Sequence, residues 1–503
     1  MPVFDQGDIN VAALSVPDLY VQIVPPKITL VQGVDTSLYG LVGTASWGPV
    51  NAPTTVGDQT QAAYLFGTRV AQPHDLGTAY LCANYQGAYN AKFVRVTDAT
   101  DVAATVTAQA SITLTAKYTG STGNSIKVTV GNGSKNGSFK VTAQLPGFQP
   151  EAWDNITGTG AAFWTAVAAA INSGVTGFSG ASDLIVATAT GSTAPVAATY
   201  TLTGGTDGSS GVTDTMILGV SGVSRTGMYA LEGSDVRNFA LVDVTTTSTW
   251  AAQIAFAKQI GAIAFAIGAS GEALATTITN KGTAGVDTWH ITMLAGDWDY
   301  INDGNQVRLV SPQGFAIGRR AALSPEQSVL NKPIYGVVAT QRTMAKRPYS
   351  VAELSDANRA GIEIVTNPIP AGKMFGCRNG VNTSSDPAVN GDNYGSMTNF
   401  LAYSINASFG KYVGKLQTPT TRVEAKTSLE AWLQDLADLG MIGAPDGSKP
   451  YQVILGNSNN SRTRAALGYM QADVKVVYQN VIRYFLINLE GGQGVQINNS
   501  KTA

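Results

Sequence analysis

Histidine and cysteine, the side chains most often used to bind metals or to act as nucleophiles, are rare in this sequence. The histidines are His74 and His290, and the cysteines are Cys82 and Cys377. All four lie far apart along the chain, and none stands in the H-E-x-x-H or C-x-x-C spacing that holds zinc. We therefore predict imidazoles at the surface or at the edge of the core, two buried thiols, and neither a metal site nor a disulfide framework.

Two kinds of segment resemble ligand-binding loops but lack required residues. The acidic stretch 297–304 begins like a calcium loop, but Ile301 stands where an oxygen ligand is needed and the closing glutamate is missing. A polar turn is therefore favoured there. Lys411 and Lys415 each follow a glycine, but the next residue is Tyr or Leu, whereas a phosphate-binding P-loop has Ser or Thr. The sequence therefore predicts no cofactor.

One carboxylate stands where an α/β enzyme would use it. Asp243 lies near the end of the apolar run 238–244, which has the pattern of a buried parallel strand. Ligands bind beyond the carboxyl ends of such strands. An enzyme using Asp243, together with His290, is therefore one hypothesis, but no partner group accompanies Asp243 in the sequence. A structural protein is favoured over an enzyme, and no catalytic residue is predicted.

Composition and charge narrow the possible classes. The chain of 503 residues is long enough for about three or four domains. Charged residues make up 13% of it, about half the usual share, and the formal net charge is −2. Such a surface is suited to contact with other protein and has no basic excess for nucleic acid. The most apolar window, 251–267, is too short and polar to span a bilayer, and no secretory signal is predicted, so we expect no membrane insertion.

The order of elements predicts a multidomain protein of mixed α+β and α/β class. Residues 1–24 have the pattern of an extended arm bracketed by prolines, with no local partner for its apolar run. That run consists of Leu19, Tyr20, Val21, Gln22, Ile23 and Val24. Residues 25–98 predict strands at 38–44 and 91–96 around a helix at 76–89, which form the N-terminal part of a core domain.

The middle of the chain changes character twice. Residues 99–212 are rich in Thr, Ser, Gly and Ala, and short β-type runs separated by turn residues predict an inserted, mostly β domain that protrudes. Residues 213–345 then show strand–helix–strand order, with apolar runs at 238–244 and 262–267 on either side of a helix. This segment is predicted to be an α/β domain.

Residues 346–490 predict a C-terminal domain with two amphipathic helices and a final hairpin. The first helix is expected at 398–416, and the second runs from a capping box of Thr427 and Glu430 to Gly440. Alternating runs at 470–478 and 481–489 then predict two strands. Such a hairpin either completes its own sheet or donates a strand to a neighbour, and local pattern alone favours the first. Residues 491–503 form a Gly-rich C-terminal arm.

Several segments in a fixed order carry a resemblance to a known family. They are PDLYVQIVP (17–25), YGLVGTASWGP (39–49), LTAKYTGSTGN (114–124), LTGGTDG (202–208), RAGIEIV (359–365) and the runs 423–439 and 474–489. Together they resemble the tail sheath proteins of contractile-tailed bacteriophages, with relatives in R-type pyocins and other contractile injection systems. Asp18 and Ile23 depart from the Gly and Glu of the family's opening motif.

The resemblance implies a structural subunit without an enzymatic site. Such subunits stack as rings of six around a tail tube and contract on a baseplate signal, driving the tube through a cell envelope for genome ejection. The implied partners are further copies of the chain, the tail tube protein, and baseplate and tail terminator proteins, with no nucleic acid. The implied location is the virion, after assembly in the cytoplasm of a bacterial host.

The resemblance also implies that both chain ends add strands to the C-terminal domains of neighbouring subunits. At the C-terminus the strand-forming residues are Gly491, Gly492, Gln493, Gly494, Val495, Gln496 and Ile497. We expect 468–478 to stay in the subunit's own sheet and the chain beyond Glu490 to pair with a neighbour. Because the C-terminal domain would be proximal to the tube, four cations are candidates for facing it, with a solvated helix face as the equal alternative. They are Lys411, Lys415, Arg422 and Lys426.

Two alternatives stay open on the sequence. The first is another phage structural protein, such as a tube, capsid or surface-array subunit. The second is the α/β enzyme built on Asp243 and His290.

Overall fold

The computed structural model describes residues 3–4, 21–22 and 33–489. The chain separates into two compact units. The smaller unit consists of Met1–Val34 and Phe400–Gln479, and the larger unit consists of Asp35–Asn399 and Asn480–Ala503. Strands and helices occur throughout the described residues, so the predicted mixture of α and β structure is confirmed.

Short strands outnumber helices. The strands are β1 (Val3–Phe4), β2 (Val21–Gln22), β3 (Tyr39–Gly43), β4 (Thr54–Val56), β5 (Ala91–Arg95), β6 (Thr105–Ala108), β7 (Ile112–Ala116), β8 (Lys127–Asn132), β9 (Phe139–Gln144), β10 (Glu151–Ile156), β11 (Ile185–Ala189), β12 (Ala198–Thr201), β13 (Asn238–Leu241), β14 (Ile263–Ile267), β15 (Ile291–Leu294), β16 (Asp299–Asp303), β17 (Gln306–Val310), β18 (Val337–Thr340), β19 (Ile362–Glu363), β20 (Val365–Thr366), β21 (Gly376–Cys377), β22 (Tyr451–Ile454) and β23 (Asp473–Val476). The helices are α1 (Gln59–Phe66), α2 (Leu76–Asn84), α3 (Gly160–Ser173), α4 (Asp214–Leu218), α5 (Trp250–Ile260), α6 (Leu274–Thr283), α7 (Gln313–Ala321), α8 (Gln341–Met344), α9 (Val351–Ala360), α10 (Asp392–Phe409), α11 (Pro419–Asp438) and α12 (Arg462–Ala466).

A seven-stranded sheet forms the centre of the larger unit. Its strand order is β19-β15-β14-β13-β3-β5-β4, and every neighbouring pair is parallel except β4 with β5. The sheet therefore joins strands from the predicted segments 25–98 and 213–345, and β19 adds one more from beyond residue 345. The direction of winding reverses between β3 and β13, which lie side by side.

Helices cover both faces of this sheet, which explains why its strands have continuous apolar runs. Successive residues point to opposite faces, so Leu41 packs towards α1, α2 and α7, whereas Val42 packs towards α4, α5, α6 and α9. Trp250 and Phe256 of α5 and Tyr80 of α2 are the large side chains that fill these two layers. The result is a three-layer, doubly wound α/β arrangement.

Two antiparallel sheets and α3 form a separate core between residues 105 and 201. The sheets have the orders β10-β9-β8-β12 and β11-β7-β6. Phe163, Trp164 and Trp153 lie at the centre of this core. The two indole N–H groups donate to the carbonyl oxygens of Thr193 and Gly180, at 2.7 and 3.1 Å, so their polar atoms are satisfied despite burial.

The chain enters and leaves this β-rich region at nearly the same point. The Asp98 N–H donates to the Gly208 carbonyl oxygen at 2.8 Å, and the Asp98 carboxylate accepts from the Gly211 N–H at 2.9 Å. Arg95, at the end of β5, is completely buried, and its guanidinium donates to the carbonyl oxygens of Thr119 and Asp207 at 2.7 and 3.0 Å. Arg95 thus ties the base of the β-rich region to the seven-stranded sheet. Trp47, which follows β3, also packs into the core of the β-rich region, and the Ser46 carbonyl oxygen accepts from the Thr122 N–H at 3.2 Å.

The smaller unit contains a two-stranded antiparallel sheet, β22 with β23, on which α11 packs. The apolar side of α11 includes Leu429, Trp432, Leu433 and Leu436, as the helical periodicity predicts. Leu439, the fifth position of the same predicted stripe, follows the end of the helix and is 73% exposed, so the prediction is wrong there. The predicted start of this helix is wrong. It begins at Pro419 after the N-cap Thr418, whose hydroxyl oxygen accepts from the Thr421 N–H.

The predicted final hairpin does not form. The first predicted strand, β23, pairs with β22 of its own unit, in agreement with the expectation for 468–478. Residues 481–489 form no strand. The alternating pattern indicates that a segment can form a strand, but it does not specify which strand it pairs with.

The polar turn expected at 297–304 is also wrong, because Asp299–Asp303 is a strand paired with both β17 and β18.

Candidate functional site

The most unusual surface of the larger unit is the extended segment 481–489. Val481 and Arg483 are half-buried, and the residues from 484 to 489 are all exposed. Six large apolar side chains project into solvent here. They are Ile482, Tyr484, Phe485, Leu486, Ile487 and Leu489, with exposed fractions from 68% to 91%.

Such a segment is unfavourable in water. Burying one large apolar side chain stabilises by about 1.5–3 kcal/mol, so covering six of them is worth on the order of 10 kcal/mol before the ordering cost is subtracted. Contiguous exposed apolar residues of this extent mark a contact site for other protein. The segment therefore has the exposed apolar surface of a protein contact site.

The sheet of the smaller unit offers the complementary feature. Within the described residues β22 and β23 pair only with each other, so each has an outer edge without a strand partner. Tyr451 and Val453 are buried on the side of α11, whereas Gln452 between them is exposed. An added strand would hydrogen-bond along an outer edge and place alternate apolar side chains over α11.

The N-terminal arm residues are only partly described. Val21 and Gln22 lie in β2, which pairs in parallel with Val3 and Phe4. The prediction that this run has no local partner is therefore wrong at these two positions. The other predicted arm residues fall outside the described part of the chain. They are Leu19, Tyr20, Ile23 and Val24 at the N-terminus, and Gly491, Gly492, Gln493, Gly494, Val495, Gln496 and Ile497 at the C-terminus.

Two of the four predicted tube-facing cations surround one aromatic ring. The Lys411 and Lys415 ammonium nitrogens lie 5.4 and 5.1 Å from the centroid of the Tyr412 ring, which stacks on Phe409. The Lys411 nitrogen is buried and has no hydrogen-bond acceptor among the described residues. Its charge lies over the faces of the Phe409 and Tyr412 rings, 6.0 and 5.4 Å from their centroids. The motif search missed Tyr412 as a member of this group.

The other two predicted cations lie one helical turn apart on α11. Arg422 donates through Nη1 to Asn457 Oδ1 at 3.2 Å, and the Lys426 ammonium lies 3.8 Å from Glu430. Both are engaged within the smaller unit. The structure therefore brings Lys411 and Lys415 together, and it places Arg422 and Lys426 in a second group on the helix.

The enzyme hypothesis concerns the cavity at the point where the winding of the seven-stranded sheet reverses. A cavity of about 370 Å³ lies beyond the carboxyl end of β13 and is lined by Asp75, Asp243 and Arg308, among others. Burial raises the pKa of Asp243 to about 6, against the opposing effect of His74. A carboxylate with this pKa suits a general base, but neither histidine lines the cavity.

The other reactive side chains considered for this cavity are a bonded histidine, an unreactive thiol and a histidine stacked on a tryptophan. The His74 ring nitrogen Nδ1 lies 2.7 Å from the Val242 carbonyl oxygen. Burial raises the pKa of the Cys82 thiol well above its usual range, so the thiol stays protonated. His290 stacks on Trp289 with ring centroids 3.7 Å apart, and burial lowers its pKa to about 4. The structure thus does not assemble the predicted Asp243–His290 pair in this cavity.

Three further observations concern thiols, metal ligands and the length of the helices. Cys82 and Cys377 are buried free thiols in one apolar cluster, as predicted. In the described part of the chain no three His, Cys, Asp or Glu residues converge as a metal site. Across the same residues, every helix is too short or too polar to cross a membrane.

Comparison with known proteins was made by sequence and by structure. No protein-family model matches the chain, and the search of curated proteins returned no match. Solved structures do match. The sheath tail protein of Listeria innocua is 16% identical with a TM-score of 0.60, covering 85% of this chain and 90% of that one. The sheath tail protein of Desulfitobacterium hafniense is 17% identical with a TM-score of 0.56, covering 86% and 93%.

A sheath in its contracted state matches over more of the chain. The helical sheath of the anti-feeding prophage is 11% identical with a TM-score of 0.56, covering 95% of this chain and 100% of that one. These matches show that the chain has the fold of contractile sheath proteins. The resemblance seen in the sequence is confirmed at this level, and the matched structures are sheath proteins rather than enzymes.

Proposed function

We propose that this chain is the repeating subunit of a contractile tail sheath. It polymerises as stacked rings of six around a tail tube, and its contraction drives the tube through a host cell envelope for genome ejection. Its partners are other copies of itself, the tail tube protein, and the baseplate and tail terminator proteins. The particle is a virion assembled in the bacterial cytoplasm.

One observation carries the proposal. The same chain has an exposed apolar segment at 481–489 and a two-stranded sheet with outer edges that have no strand partner among the described residues. The two features differ in kind, so the contact between copies is heterologous and propagates instead of closing a dimer. Donation of the chain from 484 onwards, including the predicted arm 491–503, would link each copy to the next.

Linkage by strands suits contraction because it keeps copies connected while they rotate as rigid bodies. The doubly wound larger unit is the body, and the terminal segments are the links. We expect the contracted array to bury more surface per subunit than the extended array, so that no nucleotide is consumed. A smaller buried area in the contracted array would contradict this source of energy.

The tube-facing surface is proposed on charge. Lys411 has a buried ammonium without a hydrogen-bond acceptor among the described residues, and Lys415 lies at the same ring. Carboxylates on the tube protein would pair with both. Arg422 and Lys426 are also proposed to face the tube, but they contribute less to that contact, because each already has a partner in the smaller unit.

The direct test is electron microscopy of the purified full chain. We expect hollow striated tubes, whereas a surface-array protein forms flat or closed sheets and an enzyme stays dispersed. Deleting 491–503 should leave a folded monomer that forms no stable tubes, and deleting only 501–503 is the matched control. Tubes that form equally well without 491–503 would contradict strand donation by the C-terminal arm.

A further inference from the structure

Two segments of the larger unit meet at one backbone carbonyl. The Gly380 carbonyl oxygen accepts from the Asp392 N–H at 3.2 Å, and Asp392 is the first residue of α10. The same oxygen accepts from Arg483 Nη2 at 3.1 Å. Through α10 the chain leaves the larger unit, and through 480–483 it returns to it. Both connections are therefore tied to a single atom.

Gly380 is held in place by its surroundings. Its φ of +58° lies in the left-handed region, and a Cβ there would lie 2.6 Å from the Leu330 Cβ and from the Ser328 Oγ. Its N–H donates to the buried Glu363 Oε2 at 2.6 Å. Glu363 Oε1 accepts three more backbone N–H groups, those of Ile364, Arg378 and Asn379, at 2.9–3.1 Å. The carbonyl that receives Arg483 is thus part of a rigid loop.

The first residue of α10 is fixed as firmly. The Asp392 carboxylate is buried and accepts from the Val329 N–H at 2.9 Å and from Arg320 Nη1 at 3.2 Å. Arg320 is itself buried, so this is a desolvated ion pair whose two partners depend on each other. The loop that carries the Gly380 carbonyl and the helix start that donates to it are therefore both held by buried, hydrogen-bonded groups.

The exposure of the C-terminal segment changes at the same point. Val481 and Arg483 are half-buried with the exposed Ile482 between them, the alternation of a strand lying on a surface. From Tyr484 onwards every residue to 489 is exposed. At this point of the described chain, Arg483 donates its hydrogen bond to the Gly380 carbonyl oxygen.

We propose that Arg483 and the Gly380 carbonyl form an anchor that fixes where the C-terminal segment leaves its own subunit. Arg483 is a positioning residue: it does not enter the neighbour's sheet, but it sets the length and register of the chain available to do so. This inference rests on strand donation as proposed above. A fixed point of departure lowers the conformational entropy lost on pairing, because fewer residues remain to be ordered.

The anchor is tested by a distance measurement that does not depend on assembly. Spin labels are placed on the full, dilute chain at two exposed positions, Ala388→Cys and Tyr484→Cys, because Cys82 and Cys377 are buried and react poorly. We expect a narrow distance distribution. Arg483→Gln, which keeps a polar side chain but shortens it, should broaden that distribution several-fold, whereas Arg462→Gln on the exposed helix α12 should leave it unchanged. An unchanged distribution in Arg483→Gln overturns the anchor.

Assembly then tests its role. On an unlabelled background Arg483→Gln should raise the critical concentration for tube formation about tenfold, as expected for losing a hydrogen bond from a charged donor, and Arg483→Lys should recover part of the loss. A broadened distribution with an unchanged critical concentration also overturns the proposal. Failure of strand donation itself is distinguishable, because then the 491–503 deletion assembles normally while the distance change in Arg483→Gln persists.

Discussion

The central sheet of the larger unit and the sheet of the smaller unit differ in how their edges are protected. The seven-stranded sheet of the larger unit ends in β4 and β19, which have only three and two residues, and its faces are covered by helices. The sheet of the smaller unit consists of β22 and β23, each of four residues, and its outer edges are unpaired within the described chain. Short edge strands discourage further pairing, whereas longer open ones invite it. The larger unit therefore has a sheet with protected edges, whereas the sheet of the smaller unit has edges open to another strand.

The largest expected effect is on the donated segment. Changing Phe485 and Ile487 together to Ser should abolish tube formation, because two apolar side chains account for roughly 3–6 kcal/mol of the contact. The unfolding free energy of the monomer should be unchanged, since both side chains are exposed. Electron microscopy and urea unfolding of the same preparations measure the two effects.

The matched control uses exposed apolar residues elsewhere on the larger unit. Val220 and Val223, which are 67% and 108% exposed, are changed to Ser in the same way. Tubes should form normally with this control. If both double variants lose assembly equally, the segment 481–489 has no special role and the comparison with the open sheet fails.

A core substitution should affect the larger unit alone. Phe239 is completely buried in β13 and packs on Phe256 with ring centroids 5.5 Å apart. Phe239→Ala should lower the unfolding free energy by about 3–5 kcal/mol through lost burial and the remaining cavity. Denaturant unfolding measures this, and a loss below about 1 kcal/mol would contradict the packing described for this sheet.

The edge strand β19 makes the larger unit sensitive to pH. Burial raises the pKa of Glu363 to about 7 from its ordinary 4.5, despite the N–H groups that donate to it. Because the folded pKa lies above the unfolded one, the stabilising contribution is complete below pH 4.5 and is lost as the pH rises through 7. We expect a decrease of roughly 3 kcal/mol in unfolding free energy over this range.

Glu363→Gln isolates this effect, since glutamine does not titrate. Asp243, whose pKa burial raises to about 6, contributes with the same sign but is present in both proteins. The difference in unfolding free energy between the two proteins should therefore change between pH 4.5 and 8. Parallel pH profiles for the two proteins would show that Glu363 keeps an ordinary pKa.

The smallest effect concerns the helix that supports the open sheet. The Thr418 hydroxyl oxygen accepts from the Thr421 N–H at 3.1 Å as the N-cap of α11. Thr418→Ala should lower the unfolding free energy by about 1 kcal/mol, whereas Thr427→Ala in the helix interior should have almost no effect. A larger loss of unfolding free energy in Thr427→Ala than in Thr418→Ala would support the helix start at Thr427 that the sequence pattern predicted.

The elements that the sequence predicts best are those whose pattern depends only on burial. The runs at 238–244 and 262–267 are strands because both faces of the sheet are covered, and the stripe from Leu429 to Leu436 packs as its period indicates. Which strands pair with each other is harder to predict from the sequence. Alternation at 481–489 marks a strand-forming segment, but hydrogen-bond partners distant in sequence decide whether a strand forms.

The site residues follow the same rule. Lys411 and Lys415 were predicted from the family resemblance, which gave no role to Tyr412 between them. The partner of Arg483 could not be predicted from the local sequence, because it is a carbonyl group 103 positions away. A basic residue within an otherwise apolar, strand-like run was the available clue, since such a charge costs free energy unless it has a partner.

The paired entry and exit of the β-rich region have a consequence for how such a protein can change. Since Asp98 is hydrogen-bonded to both Gly208 and Gly211, about a hundred residues are attached at what is geometrically one point. Regions attached in this way can be lengthened, exchanged or removed without re-threading the sheet beneath, provided that Arg95 and Trp47 are replaced when their partners in the β-rich region go. The body with the seven-stranded sheet and the β-rich region can therefore evolve at different rates, and foreign domains could be grafted between residues 98 and 208.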